Sequence, residues 1–225
     1  FHDKAVVLDQ ILSEYPQIEV VQIQLNYVDF NDASIQSREC LEVCRKHGKP
    51  AIIMEPVKGG ALVNLPEEAQ KIFDELNGGS NASYAIRFAA SQEGVMMVLS
   101  GMGNMDMMND NISYMKDFEP LNEKEQEAVD KVCKIFTDLG AVSCTACRYC
   151  TEVCPQEIPI PATFACLNAK KIFNDSNAGY YYREIHTKDG GKASDCLKCG
   201  LCEEICPQHL EIRELLEKVA EVFEQ

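Results

Sequence analysis

The chain has 225 residues, 46% of them hydrophobic and 25% charged, a balance that suits a soluble globular protein of one large or two smaller domains. A net charge of −15 with no Lys/Arg run able to neutralise a phosphate backbone argues against nucleic acid and favours a basic partner. No apolar run reaches the roughly 18 residues of a membrane span, and no charged start leads into an apolar core and a small-residue cleavage site, which points to a cytoplasmic protein.

Residues 1–140 alternate short apolar strands with amphipathic helices, the pattern of parallel α/β units. A helix is expected over 5–15 and a strand over 20–27. A helix over 34–47 follows with Gly48 at its C-terminal cap, and then a buried strand over 51–55 that ends at Pro56. Gly59-Gly60 mark a loop, 66–76 and 81–91 read as a pair of helices, and 95–100 as a third strand broken off by Gly101 and Gly103. Helices are expected over 104–115 and 122–139, the second with Asn122 as N-cap and Glu125 three residues on, a capping box with Asn in place of Ser/Thr. The composition shifts at Gly140, which sets domains at 1–140 and 141–225. In the second of these, helices are expected over 161–173 and 210–223, the latter with leucines and valines at helical spacing. Three strands with helical crossovers cannot close a barrel, and Phe1-His2-Asp3 runs at once into a helix with no start methionine, so the chain reads as a fragment of a longer protein. Asn-x-Ser/Thr sequons at Asn81, Asn111 and Asn174 carry no meaning in a cytosolic chain.

Twelve cysteines are too few for a disulfide scaffold, and eight of them fall in two tight groups, which suggests metal in a reducing compartment. The first group is Cys144-Thr-Ala-Cys147-Arg-Tyr-Cys150-Thr-Glu-Val-Cys154-Pro155 and the second Cys196-Leu-Lys-Cys199-Gly-Leu-Cys202-Glu-Glu-Ile-Cys206-Pro207. Three cysteines three residues apart let one short loop wrap a cubane and supply thiolates to three irons, while the fourth must come from elsewhere. In two-cluster ferredoxins the last Cys of each such motif ligates the other cluster. That rule assigns Cys144, Cys147, Cys150 and Cys206 to one 4Fe-4S cluster, and Cys196, Cys199, Cys202 and Cys154 to the other. Zinc, usually held by two C-x2-4-C pairs, leaves the third Cys and the Cys-Pro ending unexplained. The 41 residues between Cys154 and Cys196 exceed the link of a small bacterial ferredoxin and point to a mainly helical cluster domain. Arg148 and Lys198 either stabilise the reduced state or simply face water. Cys40 and Cys44 share a helix face and read as buried thiols rather than ligands, His2 as a surface or core histidine rather than one facing a site, and Tyr180-Tyr181-Tyr182 as packing rather than a platform for a partner or a route to a cluster.

Three segments of the first half, Val21-Gln22-Ile23-Gln24-Leu25-Asn26-Tyr27, Met54-Glu55-Pro56-Val57-Lys58-Gly59-Gly60-Ala61-Leu62 and Val98-Leu99-Ser100-Gly101-Met102-Gly103-Asn104, resemble the last three strand ends of an aldo/keto reductase. With the cysteine domain, the chain looks like the branch of that family that carries a C-terminal two-cluster ferredoxin module. The resemblance implies an α/β fold, the second half of a (β/α)8 barrel, with sites at the C-terminal strand ends. It places Gln22 at the nicotinamide carboxamide, Val57, Lys58, Gly59 and Gly60 along the pyrophosphate, and Asp110 and Asn111 at the adenosine end. Met54 stands where the family stacks an aromatic ring on nicotinamide, and Gly101 and Met107 where NADP-binding members place basic residues. A 2'-phosphate here forgoes charge-assisted bonds worth about 1.5–3 kcal/mol each, which disfavours NADP and leaves NAD or no nucleotide. The family's catalytic Asp, Tyr, Lys and His belong to earlier strands, so no catalytic residue is assigned.

The expectation is therefore an iron-sulfur oxidoreductase in which two clusters relay electrons between a redox partner protein, or a small-molecule donor, and a site in the barrel. The alternatives are a non-catalytic carrier or sensory module, and an NAD-dependent reductase with accessory clusters.

Overall fold

The structure, a computed structural model, describes residues 1–32, 35–76, 78–173 and 175–225. The predicted helix start at Ser34 and the sequon start at Asn174 lie outside these residues. The chain divides into two units, Phe1–Phe136 and Thr137–Gln225.

In the first unit, α1 (Ala5–Glu14) precedes three parallel strands in the order β1 (Val21–Gln24), β2 (Ala51–Met54), β3 (Val95–Val98). β1 and β2 pair in register from Val21 with Ala51 to Gln24 with Met54. The register against β3 slips between Ala51 and Ile52, so that Ile52 faces Met97. The crossovers are helical, α2 (Ser37–Lys46) before β2, and α3 (Glu67–Asp74) and α4 (Asn81–Ala90) before β3. α5 (Met105–Met115) and α6 (Glu123–Leu139) follow. Strand side chains alternate between faces. Val21, Ile23, Ala51 and Ile53 turn to one face and are buried with Leu8, Leu12, Leu41, Phe73 and Phe88 from α1 to α4 and Val129 and Val132 from α6. On the other face Gln22 and Met97 are exposed.

Strand ends fall short of the apolar runs that predict them, for a side-chain reason. Asn26 accepts the N–H groups of Val28 and Asp29 on its own carbonyl oxygen (3.1 and 2.9 Å), an Asx turn that ends β1 three residues before Tyr27. Glu55 adopts φ 58° and stops β2 one residue before the predicted end. Gly48 is left-handed at φ 62° at the C-terminal cap expected of it, and two caps the sequence reading did not name are present: Asn104 accepts the Met107 N–H, and Ser80 caps α4 by accepting the Ser83 N–H. The Asn122/Glu125 capping box is present in both directions, Glu125 N–H to Asn122 Oδ1 at 3.1 Å and Asn122 N–H to Glu125 Oε2 at 2.9 Å. Asn122→Ala is expected to lower the stability of the first unit by about 1 kcal/mol, measured by urea denaturation, the usual size of a lost cap.

The second unit is helical among its described residues, with α7 (Tyr149–Glu152), α8 (Ile160–Phe173), α9 (Ala178–Tyr180), a π-helical turn over Tyr181–His186, α10 (Leu201–Glu204) and α11 (Ile212–Phe223). Its core joins Ile158, Ile160, Phe164 and Leu167 to Leu216, Val219 and Phe223, the apolar stripe expected of the C-terminal helix. No described helix is long and apolar enough to cross a membrane.

Candidate metal centre

Every position of the second cysteine motif lies 52 residues after its counterpart, Cys196 after Cys144, and the backbone repeats with the same period. Ala146 and Lys198 adopt φ 57° and 56°, Arg148 and Gly200 φ 70° and 86°, and Glu157 and His209 φ 51° and 49°. The left-handed region costs a non-glycine residue about 1–2 kcal/mol, and five of these six residues bear that cost. Backbone strain of this kind persists where the surroundings fix it and gathers at ligand sites. Its effect here is to curl each loop so that successive cysteines face inward. The curl also aims amides at sulfur: Ala146 N–H donates to Cys144 Sγ and Lys198 N–H to Cys196 Sγ, both at 3.4 Å. Each motif closes with the same turn, Glu157 N–H to the Cys154 carbonyl at 3.1 Å and His209 N–H to the Cys206 carbonyl at 3.0 Å. One-turn helices α7 and α10 then carry Cys150 and Cys202 into the core.

The loops border two cavities, and the cysteines divide between them in crossed sets. Cys144, Cys147, Cys150 and Cys206 line one, and Cys154, Cys196, Cys199 and Cys202 line the other. Apolar side chains complete both: Phe164 and Ile212 in the first, Ile158 and Leu216 in the second, and Ile160 in each. Cys147 and Cys199 reach the surface while Cys150, Cys202 and Cys206 are buried. Four thiolates on one zinc, at about 2.3 Å each, would stand within about 4 Å of one another. Among the described residues no group of three or more His, Cys, Asp or Glu converges as on a single ion. An all-thiol donor set whose sulfurs do not meet on one point would hold a multi-iron group rather than a single ion.

Burial pushes the Cys150 thiol up to about 12, with Cys144, Cys206 and Cys147 adding to it. Burial likewise takes Cys202 to about 11, with Glu203, Cys196 and Cys154 contributing. The crossed cysteines Cys206 and Cys154 are thus close enough to be felt electrostatically. Both deep thiols are protonated at neutral pH without metal, so metal binding must displace their protons.

Two side-chain clamps hold the chain as it approaches each motif. Asn168 of α8 accepts the Val142 N–H at 2.7 Å and donates to the Val142 carbonyl at 2.8 Å, just ahead of Cys144. Ahead of Cys196, the buried Tyr182 hydroxyl accepts the Ala193 N–H at 2.9 Å and donates to Glu224, which also accepts the Ser194 N–H at 3.2 Å. The Tyr182 ring stacks on Phe223 with centroids 5.0 Å apart. Tyr182 is packing, as read, but it also positions the second motif; Tyr180 and Tyr181 are exposed. Lys198 faces water and pairs with Glu217, Arg148 is also exposed, and so is His2.

A family model described as the aldo/keto reductase family matches residues 3–134, and one described as a 4Fe-4S dicluster domain matches residues 143–210. The chain belongs to the aldo/keto reductase family. A reductase unit and a dicluster domain on one chain make it, in kind, an iron-sulfur oxidoreductase. A comparison with curated proteins finds no match.

In the aldo/keto reductase unit, the residues read as nucleotide contacts lie within β1 (Gln22), in the loops after β2 and β3 (Val57 to Gly60, Gly101) and in α5 (Asp110 and Asn111), and several are already engaged. Gln22 is exposed, with its amide 3.3 Å from Met54 Sδ. Asp110 accepts the Ser80 hydroxyl at 2.7 Å, Asn111 donates to the Met107 carbonyl and accepts from Ser100, and Gly101 lies open. After β2, Lys58, Gly59 and Gly60 are all left-handed (φ 49°, 61° and 92°). Lys58 turns inward to a buried ion pair with Asp29 at 2.6 Å, and Asp29 also accepts from Gln24 and Asn26 at 2.9 and 2.8 Å. Asp29 escaped the sequence reading, because nothing in a lone acid after a strand says that it will be buried.

Proposed function

We propose that the two cavities of the second unit each hold one 4Fe-4S cluster by the crossed ligand sets, and that residues 1–136 supply later strands of a (β/α)8 barrel whose substrate site exchanges electrons with them. The observation that carries this reading is the pairing of two four-thiol cavities, each drawing its fourth cysteine from the other motif. When bound, such clusters supply single-electron transfer, which hydride chemistry alone does not need. The protein residues shape that chemistry: Ala146 and Lys198 amides donate toward thiolate sulfur, Phe164, Ile158 and Ile160 keep water out, and the Asn168 and Tyr182 clamps fix the loops. The barrel reading is supported by the sheet itself. Among the described residues β1 and β3 each pair on one side only, and one sheet face leaves Gln22 and Met97 exposed, as in strands of a larger sheet.

The loop after β2 does not fit a dinucleotide pyrophosphate in this conformation. Lys58 donates to Asp29 and the Gly59 N–H donates to Glu55 Oε2 at 2.7 Å, so a charge and an amide that would meet phosphate are both spent inward. Glu55 would add a carboxylate beside the phosphates. The electron path proposed here therefore takes no NAD. Anaerobic reconstitution is expected to give about eight iron and eight sulfide per chain, with an EPR signal on reduction; a colourless zinc protein would overturn the reading.

A further inference from the structure

The two motifs match in backbone but differ in the side chains they show to water. At the positions between the cysteines, the first motif carries Thr145, Tyr149 and Val153, of which only Tyr149 is exposed. Their counterparts, Leu197, Leu201 and Ile205, are 64%, 45% and 43% exposed. Single exposed leucines need no explanation, but three large aliphatic side chains are open to solvent within nine residues of a loop that also carries the exposed Cys199. Leu201 and Ile205 stand four residues apart at α10 and its C-terminal cap, hence on one face. Leu197 and Cys199 both border the cavity that Cys154, Cys196 and Cys202 also line, and both are open to solvent, so the cavity comes to the surface beside an apolar side chain.

Resting on the electron-relay reading above, we propose that Leu197, Leu201 and Ile205 are the surface through which the protein exchanges electrons with a redox protein whose contact face is apolar at its centre and basic at its rim. An apolar wall over the cavity sheds water on contact and lets a partner's redox centre approach closely. The charge around it selects the partner. The local cations are already paired, Arg213 with Glu203 at 2.7 Å and Lys198 with Glu217. Glu204, exposed beside Leu201 and Ile205, has no ion pair among the described residues, and the chain as a whole carries −15. A cationic partner is steered to such a face and an anionic one repelled. A patch this small suits the weak, brief encounters of electron carriers rather than a permanent complex.

The test uses the reconstituted full chain, reduced with dithionite, and cytochrome c as a basic one-electron probe. One electron leaves the reduced protein, and ferric haem becomes ferrous, followed by stopped-flow absorbance. Leu201→Ser with Ile205→Ser is expected to slow the bimolecular step by about tenfold, with iron content and EPR signal unchanged, and the unmodified rate is expected to fall steeply with salt. Tyr149→Ser, at the matching place in the first motif, is expected to change it by less than about twofold. An unchanged rate in the double variant, or equal slowing by Tyr149→Ser, overturns the proposal. So does a dimer that the double variant dissociates, since a second copy would then be the occupant. If the double variant keeps its rate with cytochrome c while the protein still reduces ferricyanide, only the surface is lost. A protein that dithionite cannot reduce loses the relay and the surface together.

Discussion

Replacing Cys206 with alanine is expected to remove the cluster held by Cys144, Cys147 and Cys150 and to spare the one held by Cys196, Cys199 and Cys202, although Cys206 belongs to the second motif. Iron and sulfide should fall from about eight to about four per chain. Stoichiometry alone does not say which cluster has gone, but pairs of substitutions do, because two losses within one ligand set cannot remove more than one cluster. With crossed sets, Cys147→Ala combined with Cys206→Ala should still leave about four iron, and Cys147→Ala combined with Cys154→Ala should leave almost none. If each motif held its own cluster, the two results would exchange. The crossed outcome is the one expected because Cys206 lines the cavity of Cys144, Cys147 and Cys150, and Cys154 that of Cys196, Cys199 and Cys202. Far-UV circular dichroism of each variant separates loss of a cluster from loss of the helical fold.

The metal centre was legible because thiolate chemistry dictates local spacing: a loop that wraps a cubane needs its cysteines three residues apart, and that spacing survives in a bare sequence. The parallel strands were legible for a similar reason, as Val21 to Ile23 and Ala51 to Ile53 alternate or run apolar within a few residues. What escaped was long-range. Asn168 meets Val142 across 26 residues and Tyr182 meets Glu224 across 42, and neither pair has a local pattern to announce it. Lys58 shows the same limit from the other side. The family resemblance set it along a pyrophosphate, and nothing local in the sequence announces the buried pair it makes with Asp29, 29 residues earlier. The π-helical turn over Tyr181–His186 has no sequence signature that propensity could reveal.

The largest single loss of stability in the first unit is expected from Arg87→Ala, about 3–5 kcal/mol by urea denaturation at pH 7, the range for breaking a buried ion pair by removing one partner. Arg87 and Glu125 are 12% and 9% exposed at their side chains, and the guanidinium meets both carboxylate oxygens at 2.8 and 2.9 Å. The same guanidinium donates to the carbonyls of Glu119 (2.9 Å) and Pro120 (3.1 Å), so it ties α4 to the segment that leads into α6. Removing it leaves Glu125 buried with only the Asn122 N–H for company, while the two exposed carbonyls turn to water. Burial pushes the Glu125 carboxyl up, but the Arg87 and Asn122 hydrogen bonds outweigh it and hold the group below its ordinary value. A carboxyl depressed in the folded state contributes stability above its unfolded pKa, about 4.3, and loses that contribution as pH falls through the folded value. Without Arg87 only burial and the one amide act, the carboxyl rises, and the variant gains relative stability on acidification. The gap between wild type and Arg87→Ala should therefore narrow from pH 7 to pH 4.5. Arg87→Met with Glu125→Leu removes both charges and keeps comparable volume, and it should recover part of the loss. A cost below about 1 kcal/mol for Arg87→Ala, or a gap that widens toward acid, would show that this pair behaves as a solvated surface bridge.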